Sequence, residues 1–324
     1  MKSIITYYSM TGNTKRIAEA IQAGLKQATG QCDLVRLEQT NVDDLPGYDL
    51  IGLGSFVSGY QEPAPVTDFL CSLPDLKGKL GFSFCTHGTC VAGYVSRVVK
   101  ALRRKGLTVT GWNDWYGDVF IPVMAKPYYT AGHPDEIDLE EARQFGRDIA
   151  ERSQRIARGE RNLVPRLPKK DVYDKRYGVP TPPEEMPEAV ARVLMSIVQF
   201  KPTWDREKCR YPKCTICMDS CPTHSIDLSG PEPVSYETCG PCLVWLCEQL
   251  CPTGAMQIDW RPIDDAADLI KEHYGHVAES MIEFKDLRRF RSLIPPGTEG
   301  TEKPLYKRAE HPKLVIRNGV VQER

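Results

Sequence analysis

Ser3-Ile4-Ile5-Thr6-Tyr7-Tyr8-Ser9-Met10-Thr11-Gly12-Asn13-Thr14 carries three kinds of chemistry in one short stretch. The β-branched and aromatic run from Ser3 to Tyr8 reads as a strand. Ser9 to Thr14 reads as a loop of small hydroxyl residues around a glycine, and Ile17, Ala18, Ile21 and Leu25 then recur with helical spacing. Strand, hydroxyl-rich loop and helix together aim hydroxyls and backbone N–H groups at an anion on the positive end of the helix. The loop lacks the lysine of a triphosphate P-loop and the glycine spacing of a dinucleotide fingerprint. A serine and threonine cap on an ordinary helix is the plainer alternative.

Further apolar runs follow at Cys32 to Leu37, Tyr48 to Gly54, Leu80 to Cys85 and Leu107 to Trp112. Helical patterns occupy Val66 to Leu70, Val91 to Arg104 and Glu140 to Ile156. Near-continuous apolar strands alternating with helices predict a doubly wound α/β sheet covered on both faces. In such sheets the ligand sits beyond the strand C-termini. Those ends are Ser9 to Thr14, Ser55 to Tyr60, Thr86 to Thr89 and Asn113 to Tyr116.

The Ser9–Thr14 run closely resembles the phosphate loop of flavodoxins, matching it at Ser9, Thr11, Gly12 and Thr14, with Met10 and Asn13 between. The resemblance implies a flavodoxin-like five-stranded parallel sheet of order 2-1-3-4-5. It also implies noncovalent FMN whose terminal phosphate is held by these residues. By position in the family, Phe56 and Tyr60 are the candidates to stack on the ring, with Trp115 and Tyr116 as further ones. Backbone groups around Gly54, Ser55, Thr86, Gly88 and Thr89 would meet the ring edge. His87, between Cys85 and Cys90, is a candidate proton donor because imidazole titrates near neutrality; its plainer reading is a polar loop residue. Asp118 to Ala131, rich in proline and tyrosine, is a long non-helical excursion before the last helix.

A second signal lies further on, as Cys209-x4-Cys214-x2-Cys217-x3-Cys221-Pro222 and Cys239-x2-Cys242-x4-Cys247-x3-Cys251-Pro252. Eight of the chain's 12 cysteines fall in these runs, which repeat at an offset of 30 apart from the second cysteine of each. Soft thiolates at this density suit iron–sulfur clusters or zinc, and the duplicated Cys-Pro endings select iron–sulfur over a pair of structural zinc sites. The runs resemble bacterial-type ferredoxins with two [4Fe-4S] clusters. That resemblance implies crossed ligation, with Cys209, Cys214, Cys217 and Cys251 on one cluster and Cys239, Cys242, Cys247 and Cys221 on the other. Two gaps of four residues, Cys209 to Cys214 and Cys242 to Cys247, depart from the family spacing of two.

Composition frames these signals. Apolar content of 41%, charged content of 26% and a net charge of -1 describe an ordinary globular chain and give no support to nucleic-acid binding. No apolar run is long enough to span a membrane, and a cysteine-rich chain that starts directly on a strand reads as cytoplasmic, in a reducing and anaerobic cell. The expected layout is a flavodoxin-like FMN domain at 1–157, a Pro-rich basic linker and helix at 158–200, a two-cluster ferredoxin-like domain at 201–262, and a helix with an extended tail at 263–324. That tail is expected to pack on the rest of the chain or on a second copy, as in a homodimer.

Clusters pass one electron at a time and flavin holds one or two. The combination therefore predicts an oxidoreductase that passes single electrons between [4Fe-4S] clusters and FMN, with a one-electron carrier protein as partner and a small substrate or a second protein as acceptor. A pure relay serving another enzyme and a scaffold with structural clusters are the alternatives.

Overall fold

In a computed structural model of the chain, the described residues are 1–169, 200–235, 244–264 and 290–324, with Val172, Glu188, Arg192, Cys239, Cys242 and Asp268. The expected helix from Glu188 to Phe200, nearly all of the linker beyond 169, and the expected helix from Ile263 to His273 past Asp264 lie outside them. The chain divides into two compact units. The first comprises Met1–Asp118, Gly132–Pro180 and Phe284–Leu293; the second comprises Val119–Ala131, Thr181–Glu283 and Ile294–Arg324.

The first unit is built on five parallel strands, β1 (Ser3–Tyr7), β2 (Cys32–Arg36), β3 (Leu50–Phe56), β4 (Leu80–His87) and β5 (Thr108–Tyr116), in the order β2-β1-β3-β4-β5. The helices are α1 (Asn13–Thr29), α2 (Ala64–Ser72), α3 (Tyr94–Arg104) and α4 (Glu136–Ala157). One face of the sheet packs Ile4, Ile51, Leu53 and Val109 against Val66 of α2 and Val95, Val98 and Val99 of α3. The other packs Ile5, Phe82, Phe84 and Trp115 against Ile17 and Ile21 of α1 and Ala142 and Ile149 of α4. This is the doubly wound arrangement, and it buries both faces of every central strand.

Three boundaries differ from the sequence expectation, each for a local reason. β5 runs on to Tyr116, because Asn113 to Tyr116 keep register with Phe84 to His87 of β4. α4 starts at Glu136 because Asp135 caps it. The Asp135 side chain accepts from the Asp138 N–H, and the Asp138 carboxylate accepts from the Asp135 N–H. Gly54 lies inside β3, where its carbonyl accepts from Tyr8 N–H at 2.9 Å. A Cβ there would stand 2.0 Å from the Phe84 ring, and one on Gly52 would stand 2.3 Å from Phe82. The two glycines of this strand make room for two phenyl rings.

Unit two holds two short antiparallel pairs, β6 (Thr203–Trp204) with β7 (Met256–Gln257), and β8 (Leu314–Arg317) with β9 (Val320–Glu323). Asn318 and Gly319, both at positive φ (53° and 74°), close the second pair. The tail packs within this unit: buried Lys313 pairs with buried Glu248 at 2.5 Å, and fully buried Lys126 pairs with Glu323 at 2.9 Å. Among the described residues no helix is long and apolar enough to cross a membrane.

α1 and α4 touch through glycine. A Cβ on Gly24 would meet the Arg143 carbonyl oxygen at 2.0 Å, and one on Gly146 would meet that of Ile21 at 2.3 Å. Alanine gains about 1 kcal/mol of helix propensity, whereas overpacking costs about 1–3 kcal/mol. The neighbour here is backbone and cannot rotate away, so the clash wins. Gly146→Ala is expected to lower stability by about 1–2 kcal/mol, read as a lower urea midpoint; an unchanged or raised midpoint would refute this packing.

Candidate functional site

The C-terminal edge of the sheet gathers the first site. After β1 the chain turns through Gly12, whose φ of 98° is left-handed and open to glycine, into α1, which has no side-chain cap. The Ser9 hydroxyl accepts from the N–H groups of Gly12 (3.2 Å) and Lys15 (3.3 Å), folding the loop around itself. Asn13 Nδ2 donates to the Asp118 carbonyl at 2.9 Å, and the hydroxyls of Thr14 and Thr86 share a hydrogen bond at 2.7 Å. The first-turn N–H groups of Asn13 and Thr14 carry no bond among the described residues, at the positive end of a 17-residue helix. That donor set, fixed before any ligand arrives, suits a phosphate.

Next to it, Phe56 at the end of β3 stacks on Tyr8, with centroids 5.5 Å apart. The loop that follows closes on itself between Ser58 and Gln61, and its Val57 N–H donates to the Thr86 carbonyl at 2.8 Å. Tyr60 sits at its tip, 40% exposed and at φ 66°, with its carbonyl accepting from Gly93 N–H. Buried Glu62 anchors the loop by a two-pronged pair with Arg97 of α3, both contacts at 2.8 Å. Gly88 and Thr89 lie half-buried just past β4, and Met10 half-buried in the first loop.

Other candidates go elsewhere. Ser55 is fully buried and bonds to the Tyr94 hydroxyl at 3.2 Å. Trp115 lies in the core against Phe145 at 5.6 Å, because position 115 falls on the α1–α4 face of β5. Tyr116 falls on the opposite face, edge-on to His87 at 4.6 Å. His87 is itself buried, with Nε2 3.0 Å from the Asp114 carboxylate.

Sequence reasoning missed the neighbours of Tyr116. Phe290 packs edge-on against it at 4.8 Å, and Arg291 forms ion pairs with Asp135 (2.6 Å) and Asp138 (3.3 Å). Both residues lie more than 150 positions along the chain from the groups they meet, beyond the reach of any local pattern. His133 places Nδ1 2.5 Å from the Asp138 carboxylate and Nε2 2.7 Å from the Arg291 carbonyl. Two acceptors require two ring N–H groups, so the imidazole is cationic. Burial alone pushes its pKa down, but the bonds to Asp138 and Arg291 outweigh this and leave it raised. The Arg291 guanidinium holds Asp135 well below the usual carboxylate range. His133, Asp135 and Asp138 are also close enough to share a metal ion, but Arg291 and the imidazolium already supply their counter-charge.

The second site is made of sulfur. Cys209, Cys214, Cys217 and Cys251 line one cavity, with Arg210, Ile216, Leu228 and Met256 among its other walls. Burial pushes the Cys217 thiol up to about 12, with Cys251, Cys209 and Cys214 adding to the shift. Burial likewise raises Cys247, with Cys242, Cys221 and Cys239 adding to the shift. Backbone N–H groups point at the sulfurs: Tyr211 to Cys209 (3.4 Å), Ser225 to Cys221 (3.3 Å), Trp245 to Cys242 (3.2 Å) and Ala255 to Cys251 (3.2 Å). Thr223 and Thr253 place hydroxyls 3.5 and 3.8 Å from Cys221 and Cys251, so the sequence repeat is also a repeat of sulfur environments. All eight cysteines are free thiols, and among the described residues none belongs to a group close enough to share a single ion.

The profile of the Flavodoxin family matches residues 5–75. A flavodoxin of Megasphaera elsdenii is 36% identical over 110 residues, covering 33% of this chain and 80% of that protein. A ferredoxin of Methanothermococcus thermolithotrophicus is 33% identical over 58 residues, covering 17% of this chain and 93% of that one. The solution structure of the two-electron reduced Megasphaera elsdenii flavodoxin aligns at 28% identity with a TM-score of 0.37, over 46% of this chain and 98% of that chain.

The His133 clamp makes a pH-dependent contribution to the first unit. A folded pKa raised above the unfolded value of 6.5 gives stability that is complete below pH 6.5 and lost as pH rises through the folded value. Between pH 6 and 9 the urea midpoint of the wild type is expected to fall relative to that of His133→Gln. Parallel curves for the two proteins would show that His133 is not the charged group.

Proposed function

In its N-terminal part the chain belongs to the flavodoxin family, and from that premise we propose that it is an FMN- and iron–sulfur-dependent oxidoreductase that carries single electrons between two [4Fe-4S] clusters and the flavin. The flavin accepts one or two electrons and the clusters pass them singly, which matches one-electron carriers to a two-electron reduction. The protein's own residues bind and orient these groups. Ser9, Thr11 and the N–H groups of Asn13 and Thr14 hold the phosphate, Phe56 and Tyr60 flank the ring, and the Glu62–Arg97 pair keeps their loop in place.

The observation that carries the cluster assignment is the cavity in which Cys251 of the second run completes the set begun by Cys209, Cys214 and Cys217. The buried Cys217 thiol, its pKa raised by burial, resists ionisation unless a cationic core compensates it. The duplicated Cys-Pro endings favour iron–sulfur over zinc, and the N–H···S bonds suit sulfurs that carry negative charge.

His87 is proposed to act through Asp114 and Tyr116, as a group that holds a proton at Nε2 behind the ring-binding loops. A one-electron carrier protein serves as donor, and a small molecule or second protein as acceptor.

Protein purified without oxygen is expected to contain one FMN and about eight iron atoms per chain. Cys217→Ser is expected to halve the iron, while Cys71→Ser, at an exposed thiol outside both runs, leaves it intact. Zinc in place of iron would end the cluster assignment. Thr11→Ala is expected to weaken FMN binding about tenfold or more, the worth of one hydrogen bond to a charged group, as measured by fluorescence titration of the flavin-depleted protein. Undiminished affinity would remove Thr11 from the phosphate site.

A further inference from the structure

The two cysteine runs share one kind of departure, a gap of four residues where the ferredoxin spacing has two, but the gap residues have opposite chemistry. Between Cys242 and Cys247 stand Leu243, Val244, Trp245 and Leu246. Val244, Trp245 and Leu246 are buried, and the Trp245 ring packs edge-on to Trp260 at 5.3 Å. Between Cys209 and Cys214 stand Arg210, Tyr211, Pro212 and Lys213, of which Arg210, Pro212 and Lys213 are exposed. This second insertion folds as a turn, with Lys213 N–H donating to the Arg210 carbonyl at 2.9 Å, and Arg210 itself lines the thiol cavity.

Around that turn the surface is cationic. Arg206, Lys208, Arg210 and Lys213 stand against Asp205 and Glu207, an excess of two positive charges in a chain whose net charge is -1. Lys208 is spent on Asp205 at 2.8 Å, and Arg206 lies over the Trp204 ring at 5.0 Å, which leaves Arg210 and Lys213 as the outward cations. Ile216, 38% exposed, adds an apolar contact beside them, and Cys209 and Cys214 are half-buried. A cationic rim around an apolar centre, directly over redox ligands, is the arrangement that steers and seats a partner of opposite charge.

Building on the proposed function, the geometry points to this insertion as the docking face for an acidic one-electron carrier protein, which exchanges electrons through the Cys209–Cys214–Cys217–Cys251 site. The step is a single electron leaving the reduced carrier and arriving at that site; no bond changes and no proton moves. The insertion of the second run, with Val244, Trp245 and Leu246 buried, offers no comparable cationic surface. The charge of the two insertions, not the exposure of the thiols, distinguishes the two halves of the repeat.

The test uses the full chain, purified without oxygen, and a small acidic two-cluster ferredoxin as probe. Binding is measured by calorimetry in 50 mM and 500 mM NaCl, with iron and acid-labile sulfide assayed in parallel. Wild type is expected to bind at low salt and to lose about tenfold or more in affinity at high salt. The double variant Arg210→Glu, Lys213→Glu is expected to bind about tenfold or more weakly at low salt, with iron unchanged. Should the double variant lose iron, Lys213→Glu alone decides, with an expected loss of about threefold. Unchanged affinity in an iron-replete variant, or failure of iron-replete wild type to bind the probe at low salt, overturns the docking face alone. Wild type lacking iron overturns the proposed function beneath it.

Discussion

The second unit depends on placing sulfur at its centre. Its strands are two and four residues long, too short to sustain a sheet. One of its apolar clusters is made of Cys217, Cys221, Cys247 and Cys251 with Ile226, Leu228, Val234 and Met256. A cavity walled by thiols forfeits the dispersion contacts that close packing supplies elsewhere. The backbone follows from this. Each Cys-Pro-Thr turn bends so that an N–H four residues after the cysteine meets its sulfur. The buried Glu248–Lys313 pair then fixes the one-turn helix carrying Cys247 to the C-terminal tail. Removing one partner of such a pair strands the other charge, which makes the tail a structural member of this unit.

In the first unit the corresponding constraint is the parallel sheet. All five strands end at the same edge, so every loop able to bind a ligand is gathered there without further design. Hydrogen bonds then tie those loops to one another: Thr14 to Thr86, Val57 to Thr86, Asn13 to Asp118 and Gly93 to Tyr60. The site is therefore shaped before a ligand enters, which lowers the ordering cost of binding.

How much of this was legible in the sequence follows from the range of each interaction. The strand, loop and helix around Ser9 to Thr14 were legible because they form a local pattern, and the strand order followed from the resemblance of that loop to flavodoxins. The cysteine sets were legible because a repeat at fixed offset survives in one dimension. Gly54 and Trp115 were misplaced because the side of the sheet on which a residue falls depends on where the strand ends. β5 runs four residues past the expected Trp112, turning Trp115 inward against Phe145. Gly54 reads as the last residue of its strand until Phe84 is seen over it and β3 continues to Phe56. Phe290 and Arg291 left no trace, because a basic stretch does not announce an acidic helix cap more than 150 residues earlier.

The excursion between β5 and α4 shows that the two halves are not independent beads on one string. Residues 119–131 belong to the second unit although they are flanked on both sides by the first, and Phe284–Leu293 belong to the first although they are flanked by the second. Within the second unit, Ile121 and Val123 pack with Trp245, Trp260 and Tyr306 in the apolar group that reaches Cys242. Truncation at residue 157 would thus leave Ile121 and Val123 without the tryptophans that bury them, and would remove Arg291 from Asp135 and Asp138. Each unit is thus assembled from segments far apart in the sequence, and its burial depends on chain that a cut at a single linker would remove.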